Sequence, residues 1–226
     1  MQERNRLFEY PLGRLFDDIK KVGFRCTCCA KCCTRVVNRH VFLLDRDITG
    51  IKTIDPDALE PAQDPEFCDQ NGTFYVSGYA LRTKDDTPGT CWFLEKDRCR
   101  IYDRRLSICR IYPFMLRRNT GSGATTYWRF VSRQNKHGEF HMDVTDEEAL
   151  ALAREVKEYE NGFLTQQISF LELIHEYFIE HQLRHVQNVY EDQMRRFFCG
   201  EPVTIMAYYA GQLEEHRLTK STRLFS

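Results

Sequence analysis

No stretch of this 226-residue chain stays apolar for more than a few positions, a shortage that excludes a membrane-spanning helix at the outset. Charge of one sign is equally scarce. The 32 Lys and Arg nearly balance the 33 Asp and Glu, which leaves a formal net charge of -1, no basic face for nucleic acid and no acidic tail. The opening residues MQERNRLFEYPLGRLFDDIKK include acidic side chains and lack the apolar centre of a signal peptide, so a cytoplasmic protein is expected. Low-complexity segments and long linkers are absent, and the glycines form no G-x-G-x-x-G nucleotide loop. Hydrophobic residues at 42% and charged residues at 29% are ordinary globular values, consistent with a single compact unit.

Sulfur is what the chain has in excess. Five of its ten cysteines, Cys26, Cys28, Cys29, Cys32 and Cys33, fall within the eight residues CTCCAKCC. In a reducing compartment clustered thiols more often hold metal than form structural disulfides. Cys26-x2-Cys29-x2-Cys32 repeats the CxxC turn, in which the curled backbone aims two thiolates at one centre and its N–H groups at the sulfurs. Three ligands from one loop need a fourth from elsewhere, and Cys91, Cys99 and Cys109 are the candidates. Neighbouring side chains diverge, so Cys32 and Cys33 are expected to serve different metal atoms unless one of them packs. Positions 26, 29, 32, 33, 91, 99 and 109 exceed the four thiolates of one zinc or one cubane cluster. Two adjacent centres or one larger cluster would use them all, whereas a single four-ligand site would leave spectators. The element Cys-Arg-Ile-Tyr occurs at Cys99 and again at Cys109, a spacing near three helical turns that would put both cysteines on one side of a helix.

Around these cysteines the pattern predicts an α+β fold: a small, mostly antiparallel sheet, Cys-rich metal-binding loops and a helical C-terminal third. Leu12, Leu15, Phe16 and Ile19 predict a helix ending near Gly23. Strand signals run over Val36–Leu43, Phe74–Leu81, Cys91–Leu94, Thr125–Val131 and Glu139–Val144, with a helix from Asp45 to Ile51. Thr145 and Glu148 form a capping box, so residues 1–144 are expected to form the metal-binding core and 145–226 a helical extension packed on it. Asn161-Gly162 is read as a break, with further helices from Phe163 toward Phe198 and from Val203 to Arg217.

The segments FRCTCCAKCC (Phe24–Cys33), VFLLDRDI (Val41–Ile48) and CWFLEKDRCRIYDRRLSICRIYPF (Cys91–Phe114) resemble the YkgJ-type cysteine-cluster family of zinc- or iron-chelating proteins. The resemblance covers roughly residues 24–130. It implies that Cys26, Cys29, Cys32, Cys33, Cys91, Cys99 and Cys109 are metal ligands, with Tyr102, Arg105, Arg110, Tyr112 and Pro113 as supporting positions. Ala30 replaces a usual glycine and Leu106 a usual proline. An eighth cysteine, typical of the family in a Cys-Pro-Gly segment, is missing between Trp128 and Thr145. Cys28, Cys68 or Cys199 would have to replace it, or one centre stays open, as a catalytic metal site requires. Flagellin lysine methylase is a family relative, which implies cluster-assisted methyl transfer as one activity, although no methyl-donor loop is visible.

Other features have ordinary readings beside the functional one. Cys28 is a spectator or an exchangeable ligand, Cys199 a packing residue, and Cys68 is undecided. Arg100, Arg104, Arg105 and Arg110 either tune an anionic cluster or form a solvated face. His181 and His185 have the i, i+4 spacing of a metal-binding helix, but with His175 they fit a polar face better. The stripe Phe163, Leu164, Ile168, Leu171, Ile174 and Phe178 reads as helix packing, and Trp92 and Trp128 as structural.

The leading expectation is a cytoplasmic metalloprotein in which these thiolates hold an iron-sulfur cluster (4Fe-4S type) or zinc. Such a cluster would serve electron transfer, as in an oxidoreductase, or cluster-assisted modification, with Arg105 and Arg110 beside it. The alternative is a zinc-stapled interaction module whose C-terminal helices meet a partner. Thiol-disulfide exchange at Cys26 and Cys29 is a third reading, weakened by the lack of a thioredoxin-like βαβ setting. The partner would be a protein or a small molecule, with neither nucleic acid nor membrane involved.

Overall fold

The helical spacing behind Pro11 produces the helix Leu12–Val22, whose Leu15, Ile19 and Val22 are buried. Gly23 stops it at φ 53°, donating its N–H to the Ile19 carbonyl at 2.9 Å. A Cβ at position 23 would lie 2.3 Å from the Met142 carbonyl oxygen, so glycine alone fits there. The computed structural model describes residues 2–120, 126–132 and 137–219. It is an α+β chain with small, mostly antiparallel sheets, which divides into two units: residues 1–33 with 93–165, and residues 34–92 with 166–226.

In the first unit the helices Gln2–Glu9 and Leu12–Val22 accompany the hairpin Met115–Thr120 and Thr126–Val131, in register from Met115 opposite Val131 to Thr120 opposite Thr126. Thr125, where the sequence pattern starts its strand, lies outside the described residues. Leu7, Leu15, Ile19, Phe93, Ile111 and Phe114 are buried to 1% exposure or less. Residues 146–165 of the 35-residue helix Asp146–Glu180 complete the unit, with Ala149, Ala153 and Val156 fully buried. The capping box closes reciprocally: Thr145 N–H donates to Glu148 Oε2 at 2.9 Å and Glu148 N–H to Thr145 Oγ1 at 3.2 Å.

In the second unit Tyr79–Leu81 is the central strand between Val41–Leu43 and Leu59–Pro61, all antiparallel. A four-stranded sheet runs in the order Gln212–Leu218, Val203–Tyr209, Phe74–Val76, Phe67–Cys68, in which Val203–Tyr209 is parallel to Phe74–Val76. Tyr75, Phe170, Ile174 and Tyr208 form its core. Gln166 is the polar exception. Its Nε2 donates to the carbonyls of Leu43 at 3.3 Å and Ser77 at 3.2 Å, and its Oε1 accepts from Asp45 N–H at 3.0 Å, which offsets its burial.

Several local readings need correction. Asn161-Gly162 breaks nothing, because one interior glycine costs a helix only about 1 kcal/mol and buried Val156 and Phe170 on either side outweigh that. The second C-terminal helix is Gln187–Phe198. The segment from Val203 is a hairpin, not a helix: β-branched Val203, Thr204 and Ile205 alternate in burial, and Ala210-Gly211, both at positive φ, form the turn. Val36–Leu43 splits into a helical turn, Arg35–Asn38, and the strand Val41–Leu43. Phe74–Leu81 splits into two strands around Ser77-Gly78, and Cys91–Leu94 contributes only Leu94 to a strand. Of Glu139–Val144 only Glu139 pairs, with Arg25. Leu171 of the predicted packing stripe is 49% exposed.

Glu160 lies buried on the long helix, accepting the Leu116 N–H, and burial pushes its carboxyl from the usual 4.5 up to about 8. A raised carboxyl contributes stability that is complete below its unfolded value and is lost as pH rises through its folded one. Urea unfolding of the wild type should therefore weaken between pH 4.5 and about 8, by up to about 1.4 kcal/mol per pH unit. Glu160→Gln should flatten that slope, and equal slopes in both proteins would refute the assignment.

Candidate metal centre

The cysteine loop begins where the helix Leu12–Val22 ends, and a backbone seam holds it against residues 139–142. Arg25 and Glu139 exchange N–H···O bonds of 2.8 and 3.0 Å, while His141 N–H reaches the Val22 carbonyl and Met142 N–H that of Gly23, both at 2.9 Å. Phe24 packs edge-on against Tyr112, Phe114 and Phe140, with ring centroids 6.1, 6.5 and 5.2 Å away. Cys28 and Ala30 take positive φ, 55° and 59°, so the loop reverses twice before the 3-10 turn Lys31–Cys33.

These reversals bring sulfurs together. Cys26 accepts the Cys28 N–H and the Tyr102 hydroxyl, and its thiol lies within electrostatic reach of those of Cys28 and Cys32. Cys29 is exposed; although burial opposes it, hydrogen bonds from the Lys31 and Gly138 N–H groups and the Thr27 hydroxyl hold its thiol below the usual value. The Cys33 thiol hydrogen-bonds Cys32 and, with Arg105, brings Cys32 down to about 7. The 3-10 turn that carries both residues is closed by Cys33 N–H to the Ala30 carbonyl at 2.9 Å. Cys99 is raised by burial and lies within reach of Cys28.

Arg105 acts on three of these thiols. Its charge lowers Cys26, Cys32 and Cys99 alike, and its guanidinium lies 4.2 Å above the Tyr102 ring. Its Nε–H is buried with no hydrogen-bond partner among the described residues. An unanswered donor among thiols fits an anionic metal-thiolate centre, whose sulfurs would accept it. Thiolates that accept backbone N–H bonds are soft donors suited to zinc or iron. Among the described residues, no three Cys, His, Asp or Glu side chains already stand around one ion-sized point. The donors share a neighbourhood and would have to close on a metal.

The other sequence candidates lie on other elements. Cys109 is in the first unit on the short helix Ser107–Ile111, whereas Cys99 is on the strand Arg98–Cys99, so no continuous helix aligns the two. Proximity of Arg105 does what the ten-residue spacing was expected to do for Cys99. Cys91 belongs to the second unit, bridged to Thr83. Arg110 pairs with Glu155 and donates to the Arg105 carbonyl at 2.9 Å; Arg100 pairs with Glu95 at 3.1 Å. Cys68 is buried in the second unit, its thiol pushed up to about 12 by burial and by Asp69. His181 and His185 lie past the end of the helix at Glu180, which removes their i, i+4 geometry: His181 stacks on Tyr177 and His185 contacts the Cys68 backbone.

Cys28, read as a spectator or an exchangeable ligand, comes within electrostatic reach of Cys26 and Cys99 through the loop's two reversals. His137, more than a hundred residues from the cysteine loop, lines a cleft with Cys29, and no motif marks it. An open cleft of about 590 Å³ has Thr27, Cys29, Lys31, His137, Gly138 and His141 in its lining.

The family CxxCxxCC, described as "Putative zinc- or iron-chelating domain", matches residues 25–140. The chain belongs to this YkgJ-type family. No curated protein and no solved structure matches the chain. Two of the three departures from the family pattern bear on the backbone. Leu106, where the family has proline, sits at φ -58° and ψ 151° after an extended Arg105, a conformation proline would adopt unchanged. Ala30, where it has glycine, occupies the left-handed region, which costs an L-residue about 1 kcal/mol.

Ala30→Gly should therefore raise stability in urea unfolding by about 0.5–1 kcal/mol, since relief of left-handed strain exceeds the entropy glycine adds to the unfolded chain. Gly138→Ala should lower it by more than 1 kcal/mol, because φ there is 74° and a Cβ would lie 2.3 Å from the Phe24 ring. A stabilising Gly138→Ala would contradict the geometry of the loop.

Proposed function

We propose that this zinc- or iron-chelating domain binds an iron-sulfur cluster through the thiolates of its first unit and uses it in electron transfer or cluster-assisted modification of a protein or small molecule. The observation that carries this reading is the Arg105 guanidinium among the thiols of Cys26, Cys32 and Cys99, with its Nε–H buried and unanswered. Cys26, Cys28, Cys29, Cys32, Cys33, Cys99 and Cys109 all belong to this unit, more thiols than one zinc or one cubane cluster uses, and a larger cluster or a second one would engage the remainder. When bound, a cluster would supply one-electron chemistry.

The protein's own groups have separable tasks in this proposal. Arg105 offsets thiolate charge, the Lys31 and Gly138 N–H groups and the Thr27 hydroxyl stabilise the Cys29 thiolate, and Tyr102 bonds Cys26. The cleft beside Cys29 gives a small molecule or a partner side chain access to the thiolates. All ten cysteines are free thiols, in keeping with the reducing cytoplasm that this reading assigns to the protein. No helix among the described residues is long and apolar enough to cross a membrane.

Anaerobic purification should yield a coloured protein containing iron and acid-labile sulfide, whereas a colourless protein with only zinc would replace the cluster by the zinc-stapled interaction module. Cys26→Ser and Cys99→Ser should each remove most of the bound metal. Cys68→Ser should leave the metal content unchanged, since Cys68 packs in the second unit with its thiol directed to the Asp69 carbonyl. Retention of full metal by Cys26→Ser would overturn the assignment.

A further inference from the structure

We propose that the outer edge of the strand Gln212–Leu218 is an interface between two copies of this chain, which pair there antiparallel about a two-fold axis through His216. This seven-residue strand is the last in its four-stranded sheet, and among the described residues no strand pairs with its free side. Two devices that close an edge are missing from it. It contains no proline, and its register with Val203–Tyr209 runs from Gln212 to Leu218 without a bulge. The two-residue turn Ala210-Gly211 makes Tyr209 and Gln212 the closing hydrogen-bonded pair. The ladder then alternates: Gln212, Glu214, His216 and Leu218 turn their N–H and C=O groups toward Val203–Tyr209, whereas Leu213, Glu215 and Arg217 turn theirs outward. Among the described residues, no backbone group from outside the sheet reaches those outward ones.

Side-chain charge selects both the occupant and the register. Glu215 and Arg217 are exposed and share one face of the strand, and neither has an ion-pair partner among the described residues. Charged side chains protect an edge where like charges would meet. In an antiparallel pair centred on His216, Glu215 lies opposite the second copy's Arg217, and Arg217 opposite the second copy's Glu215. Both are outward positions, so each of these ion pairs is also a hydrogen-bonded pair of the new ladder. Centring on Glu215 or Arg217 would set like charges opposite each other, and centring on Leu213 or Glu214 would leave both charges without an opposite one. An acid and a base two residues apart complement themselves when the strand is read in reverse, which is what a second copy supplies. The other face of the strand accepts the same register. Glu214 is neutralised within its own chain by Lys52, at 2.9 and 3.2 Å, and accepts the Tyr79 hydroxyl. The two His216 rings meet at the axis as neutral imidazoles, because burial holds each below its usual value.

The test is sedimentation velocity of the full chain under reducing conditions, which exclude disulfide-linked dimers. One pair of strands buries less than a standard interface, so the dimer should be weak and grow in over about 1–100 μM. Glu215→Arg should weaken it about tenfold or more, and Arg217→Glu likewise, since each swap sets like charges opposite each other at both ends of the pairing. Both swaps in one chain should restore the dimer. An equimolar mixture of the two single variants should form a mixed dimer, because each supplies the charge that the other lacks. Exposed substitutions of this kind leave folding nearly unchanged, so a loss of association reads the interface. A wild type that stays monomeric throughout that range overturns the proposal. Equally strong self-association in either single variant overturns it as well, since the contact would then lie on another face.

Discussion

The seam between residues 22–25 and 139–142 is the constraint on which the first unit's chemistry rests. Four backbone hydrogen bonds between 2.8 and 3.0 Å join the end of a helix to a segment more than a hundred residues away, and the cysteine loop emerges directly from that junction. Two glycines make the approach possible. Gly23 leaves room for the Met142 carbonyl and Gly138 for the Phe24 ring, both at distances no Cβ tolerates. Because the seam sets the register, the Gly138 N–H meets the Cys29 sulfur and the His137 imidazole lies beside the loop. A slip of one residue would turn these groups away.

Electrostatics then decides what the crowded thiols can do. Mutual repulsion and burial push Cys26 and Cys99 up, which disfavours the thiolates that a metal needs. Arg105 opposes both effects at Cys26, Cys32 and Cys99, and backbone N–H groups oppose them at Cys26 and Cys29. The loop thus holds its sulfurs close while supplying positive charge and donors in compensation, the balance expected of a chelating domain. Among the described residues the Arg105 Nε–H stands buried and unanswered beside them.

Local patterns were legible wherever a short-range cause sufficed. The apolar spacing of Leu12, Leu15 and Ile19, the Thr145–Glu148 capping box and the strand Thr126–Val131 all follow from neighbours in the chain, and all appear in the fold. The misjudged elements depended on distant partners. Val203–Tyr209 becomes a strand because Phe74–Val76 offers it a parallel edge, and the helix runs through Asn161-Gly162 because apolar residues on both sides find cores. The echo of Cys99 in Cys109 suggested a shared helix, but the chain between them folds as a strand end, a 3-10 turn and a five-residue helix.

The sequence by itself determined the metal-chelating character and marked the candidate donors, because CxxC spacing is a local geometry that a few residues of backbone enforce wherever they fold. It also determined the family, through motifs spread over residues 25–140. Only the tertiary structure decided how these groups meet. That the Cys28 thiol comes within electrostatic reach of Cys26 and Cys99, and that the Arg105 charge acts on Cys26, Cys32 and Cys99, follow from two left-handed residues and a packed aromatic floor. Contacts across a hundred residues, such as that of the Gly138 N–H with Cys29, carry no period or spacing, and they exist only once the chain has closed on itself.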